Sequence, residues 1–179
     1  MRFCLAQRRI PKPLVEWIEK DVKPESDRRG LILLSHHQYY SAFEAWCPCA
    51  AQQLAWLIKR PVLWFCGHEH RFAIYARHSF FGGIPAYGRC IGHAGMPIDR
   101  EVPVQFPQCP AEFVDNRRYR VPGDPTLDVG YNGFVRLRFR GPRLEVEYVD
   151  LEDKLICAEE WSNDMKTGEL RQCSFKTFV

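Results

Sequence analysis

The residues able to do chemistry gather in two short stretches, Ser35-His36-His37-Gln38 and Gly67-His68-Glu69-His70. Imidazole is a borderline donor that suits Mn, Fe, Zn or Ni. Three histidines meeting at one point would hold a single divalent ion and leave a coordination position open. In extended backbone successive side chains alternate, so His68 and His70 are expected on one side of the chain with Glu69 on the other. An HxH pair by itself is common by chance. Its position in the chain gives this one weight.

Each stretch follows a run that reads as a buried strand. Val62-Leu63-Trp64-Phe65-Cys66 and Leu31-Ile32-Leu33-Leu34 are continuously apolar, the pattern of parallel strands covered on both faces. Gly67 is expected to permit a positive-φ turn before the histidines. Between the runs, residues 49–59 are rich in helix formers, with Leu54, Leu57 and Ile58 at helical spacing. Strand, helix and strand make a βαβ unit whose parallel strands end at the same sheet edge. Open α/β sheets hold their ligands beyond the carboxyl ends of the strands, so the unit is expected to carry His36, His68 and His70 to one place.

The rest of the chain supplies a frame. Its 179 residues, 46% hydrophobic and 26% charged, suit one globular domain with a real core. A net charge of +3 is too small to argue for nucleic acid, and the clusters Arg117-Arg118-Tyr119-Arg120 and Arg136, Arg138, Arg140 read as solvated faces. No run approaches a membrane span, and Gln7-Arg8-Arg9 cuts short the apolar start, so a reduced cytoplasmic setting without disulfides is the expectation for the eight cysteines. Met1-Arg2-Phe3-Cys4-Leu5 could end a strand, and Leu14, Trp17 and Ile18 mark a helix after the Pro11-x-Pro13 bracket. Beyond His70 come two strands, residues 71–76 and 84–92, and then a stretch from 99 to 129 in which no period survives and which reads as a long surface loop. Residues 130–179 read as an antiparallel meander. Val135, Leu137 and Phe139 alternate with arginines, and Leu144, Val146 and Tyr148 alternate with Glu145 and Glu147, so opposite charges would face each other across the pair. A third strand is expected at 155–161, and Gly168 is expected to close a last turn before the terminal residues 175–179.

With these motifs in hand, the region 30–98 resembles the second half of the calcineurin-like metallophosphoesterases: a histidine after a buried strand, then a strand ending in GHxH, then the glycine-rich turn Gly92-His93-Ala94-Gly95-Met96-Pro97. The resemblance implies an α/β fold, the carboxyl half of an αββα sandwich, and a two-metal site for hydrolysing phosphoesters. By position, His36 and His68 would ligate one metal and His70 the other, with His37 second to them or facing substrate. Gln38 stands where that family often has proline. The family's amino-terminal DxH, GDxxD and GNHE motifs are absent upstream of His36, and Gly123-Asp124-Pro125-Thr126-Leu127-Asp128 has the wrong spacing. The chain is therefore expected to be a carboxyl portion, incomplete alone, to which a missing amino-terminal half or another subunit would bring the bridging carboxylates.

Two other classes compete. One is a non-catalytic scaffold or subunit derived from such an enzyme, with an exposed sheet face seeking a partner. The other is a mononuclear zinc domain, either three histidines or Cys47 and Cys49 joined with His68 and His70. His78 and His93 are read as structural, His93 with a place at the mouth of the site as its alternative.

Overall fold

A computed structural model describes residues 9–95, 98, 103–124 and 126–179. At its centre is β2 (Val62–Cys66), buried along its whole length. Alternation sends Val62, Trp64 and Cys66 into one core and Leu63 and Phe65 into another, which is why the run reads as unbroken apolar sequence. Two strands flank β2 in parallel, β1 (Ile32–Ser35) and β4 (Ala86–Ile91). Beyond β4, β3 (Phe72–His78) and the short β5 (Ala111–Val114) add antiparallel, so the sheet runs β1-β2-β4-β3-β5. The crossover from β1 to β2 carries α2 (Cys49–Leu54), shorter than the run of helix formers suggested.

One face of this mixed sheet is covered by helices and an aromatic segment. α1 (Lys12–Trp17) begins at the Pro11-x-Pro13 bracket, where a missing N–H loses no helical bond, and continues as a π-helical turn, Ile18–Val22. Val15 and Ile18, with Ala51 and Leu54 of α2 and with Tyr39, Tyr40, Phe43 and Trp46, pack against Trp64 and Tyr75. The other face meets a second sheet of four antiparallel strands: β8 (Gly133–Arg140), β9 (Arg143–Asp150), β10 (Leu155–Asn163) and β11 (Leu170–Thr177), in the order β11-β10-β9-β8. Leu144, Val146, Tyr148, Cys157 and Trp161 close on Leu63, Phe65, Phe72 and Ile74. Inside this interface Arg89 meets Glu159 at 2.7 Å, and Tyr148 Oη and Trp161 Nε1 each donate to Glu159 Oε2 at 3.1 Å.

The outward face of the second sheet is polar. Arg136 lies opposite Glu147 and Arg138 opposite Glu145, with Arg136 to Glu147 at 3.0 Å and Arg140 to Glu145 at 3.4 Å. The charge rows set the register that the alternation implied. The molecule is thus an α/β fold made mostly of strands, in three layers: helices, mixed sheet, antiparallel sheet. No helix among the described residues covers that charged face, so the second helical layer of an αββα sandwich is not part of what is described here.

Three local differences from the sequence reading have physical causes. The 99–129 stretch contributes β5 and a small ribbon of β6 (Arg118–Tyr119) with β7 (Val129–Gly130). These strands are two to four residues long and mostly half-buried, too short for a period to register. β11 starts at Leu170, well before 175, because an edge strand with one buried residue in its first turn shows little hydrophobic contrast. Gly67 is not among the glycines with positive φ. The glycine that this loop requires is Gly92, where an added Cβ would strike Glu69 O and lie 2.7 Å from Gly67 O. The first strand read at residues 1–5, Met96-Pro97 and residues 99–102 lie outside the described residues. None of the seven described cysteines is in a disulfide, and no described helix is long and apolar enough to cross a membrane.

Candidate metal centre

The parallel pair β1 and β2 ends in register, Ser35 beside Cys66, so the chain leaves both strands at one rim. Two backbone bonds tie the loops there: Gly67 N–H donates to His36 O at 3.0 Å and His68 N–H to the same oxygen at 2.7 Å. Ser35 shapes the turn after β1. Its hydroxyl donates to His37 O at 2.8 Å and accepts from Trp64 Nε1 at 2.7 Å. A serine hydroxyl bridging to the backbone two residues on is a local turn device that reaims the side chains after it.

The result is a three-imidazole cluster. His68 Nδ1 lies 3.0 Å from His36 Nε2, and the ring centroids of His36, His37 and His68 are 4.5–4.9 Å apart in pairs. One nitrogen from each lies within 4.8 Å of the others. Small side-chain rotations would bring these to the roughly 3.3 Å that separates nitrogen donors held about 2.0–2.1 Å from an ion. His36 is exposed and the other two are half-buried, so the cluster is open to solvent on one side. The donor set fits one borderline cation. It contains no carboxylate, and a pair of metals normally needs one to bridge them.

Of the residues singled out from sequence, His36 and His68 are brought together and His70 is not. The strand ends at Cys66, the chain bends through 68–71, and Arg71 N–H donates to Glu69 O at 2.8 Å. Alternation therefore fails at that point, and His70 is left exposed outside the group. His37 takes the third place. The cue for it was in Ser35-His36-His37, since the serine turn folds the second histidine back beside the first.

The neighbours are structural in character. The Glu69 carboxylate is turned into the helix-side core, 3.2 Å from Arg71 Nε, and its burial raises it to about 7. His93, after β4, sits near the same rim but is fully buried and stacked on Phe72 at 5.0 Å. Desolvation pushes its imidazole down to about 4, with Ile91 backbone and Asp115 pulling the other way. His78, at the far end of β3, stacks on Phe80 and is lowered by burial. Cys47 and Cys49, at the start of α2, are not grouped with any histidine at ligand distance among the described residues. In comparisons with known proteins, no family model and no curated sequence matches this chain.

Proposed function

We propose that the chain is a metal-binding phosphoesterase-type hydrolase whose ion is held by His36, His37 and His68. The observation carrying this reading is the meeting of three imidazoles at the carboxyl ends of two adjacent parallel strands, where open α/β sheets receive their ligands. The order of the motifs, SHH and then GHEH with a helix between, adds the metallophosphoesterase resemblance. When bound, the ion supplies Lewis acidity, polarising a phosphoryl oxygen and acidifying water. The chain's own groups fix its position. The Ser35 turn and the His36 carbonyl, accepting from Gly67 and His68, hold the three rings to one rim, and the open side admits an anionic ester. A second ion with its bridging carboxylates would require donors from outside this group, such as another polypeptide, so turnover by this chain alone is slow.

The lack of a carboxylate in the cluster favours one other reading, a mononuclear site that binds metal without hydrolysis. Assay of p-nitrophenyl phosphate and bis(p-nitrophenyl) phosphate with Mn, Fe, Zn or Ni separates the two. The hydrolytic reading expects slow metal-dependent release of nitrophenol, lowered at least roughly tenfold in His68→Ala. Metal binding with no hydrolysis above the free ion selects the mononuclear one.

A further inference from the structure

Among the described residues β1 pairs on one side only, and its partner there is β2. Leu63 N–H donates to Leu31 O at 3.1 Å, so Leu31 and Leu33 turn their backbone groups toward β2 while those of Ile32 and Leu34 face the open side. Leu34 is 74% exposed, although parallel strands are normally covered on both faces. Native sheets guard such edges with charge, proline or a bulge, and Ile32-Leu33-Leu34 has none of these.

Beside this edge runs a groove of about 510 Å³ between β1 and the β8–β9 hairpin. Ile32, Phe139, Pro142, Leu144, Met165 and Leu170 give it an apolar lining, and Phe139 and Met165 are exposed. Arg29 and Arg143 stand at its lip. Arg29 is engaged by Asp27, donating to its carboxylate at 2.8 Å. Arg143 instead lies opposite Arg140 in the hairpin register, like charge against like, and Glu145 is taken by Arg140. Like charges directly opposite across a strand pair are unfavourable until an acid joins them.

We propose that this edge and groove are the docking surface for an extended strand of a second, different polypeptide. Its backbone pairs with Ile32 and Leu34, its apolar side chains fill the groove, and a carboxylate on it reaches Arg143. A lipid or other amphiphile could fill the groove but would leave the outward peptide groups of β1 unpaired. A second copy brings the same basic lip to a basic lip. An acidic–apolar strand satisfies backbone, groove and charge together, which is recognition by strand addition. The surface does not depend on what the histidines hold.

The test uses a blocked hexapeptide alternating Val and Thr and ending in Asp, a counterpart ending in Lys, and a third with a central Pro. The Asp peptide is expected to bind in calorimetry and to slow hydrogen exchange at the amides of Ile32 and Leu34. Arg143→Glu should weaken it at least roughly tenfold and reverse the preference toward the Lys peptide. Leu34→Pro removes only an outward amide, a change an edge strand tolerates, and should abolish binding with the circular dichroism unchanged. Binding indifferent to the charge reversal, protection away from β1, no binding at about millimolar peptide, dodecanoate filling the groove in its place, or dimerisation of the chain through this edge would each overturn the proposal.

Discussion

Two imidazole nitrogens 3.0 Å apart, as in His68 and His36, hold one proton between them, one donating and the other accepting. A divalent ion competes for the same lone pairs, and ligating histidines must be neutral, so binding there should release protons and weaken as pH falls. His93 makes a different pH prediction. It is buried with neither ring nitrogen in a well-formed hydrogen bond, and its imidazole is pushed down to about 4 from an unfolded value near 6.5. The unfolded chain takes up the proton first as pH falls. The stability contributed by a neutral His93 is therefore complete above about 6.5 and lost by about 4, a difference of about 3 kcal/mol. Glu69, raised to about 7, titrates with the opposite sign, losing stability as pH rises from 4.5. The clean readout is the difference between the wild type and His93→Leu in urea titrations. That difference should shrink by about 3 kcal/mol between pH 7 and pH 4, and a difference independent of pH would contradict the assignment. Gly92 makes the third residue-scale prediction. A Cβ there strikes the carbonyls that shape the 67–69 loop, so Gly92→Ala should lose ~1–3 kcal/mol in urea and also weaken metal binding by displacing His68.

The elements were legible where hydrophobic pattern and burial agreed. β2 shows as an unbroken apolar run because it is sandwiched between two cores, β1 shows the same run although its residues are only half-buried or exposed, and β8 and β9 show as alternation because one face carries arginine and glutamate. The site was legible to the same depth. The two parallel strand ends could be read from the sequence, but the third imidazole of the cluster was not read from strand period, because the choice between His37 and His70 depends on a serine turn and a bend after Cys66. β5 and β6 were hidden because strands so short carry no pattern. The Arg89–Glu159 pair was also invisible, since no local signal couples β4 to β10. Joining the two sheets, it should behave as buried pairs do. Arg89→Ala is expected to lose ~3–5 kcal/mol by leaving Glu159 uncompensated among Tyr148 and Trp161, whereas Arg89→Met with Glu159→Leu should lose much less. Thermal or urea unfolding of the single and double variants checks this. Equal losses in both would show that the charges themselves do not decide the stability.

For the molecule as a whole, three layers meet with their open features on different sides. The helices close one face of the mixed sheet, the antiparallel sheet closes the other, the histidines crown the carboxyl ends of β1 and β2, and the edge of β1 away from β2 lies along the apolar groove. Function on this account needs the sheet as a rigid base, because the rings of three residues from two loops stay together only while those strands stay in register. Stability and metal binding should therefore part company under the right substitutions. The most direct test is to strip the purified chain with chelator and titrate it with Co²⁺, following visible absorption and bound metal. The account predicts one ion per chain with nitrogen-ligand absorption, lost in His68→Ala, weakened in His37→Ala and unchanged in His70→Ala. Undiminished binding by His68→Ala, or loss on removing His70 with none on removing His37, would contradict it.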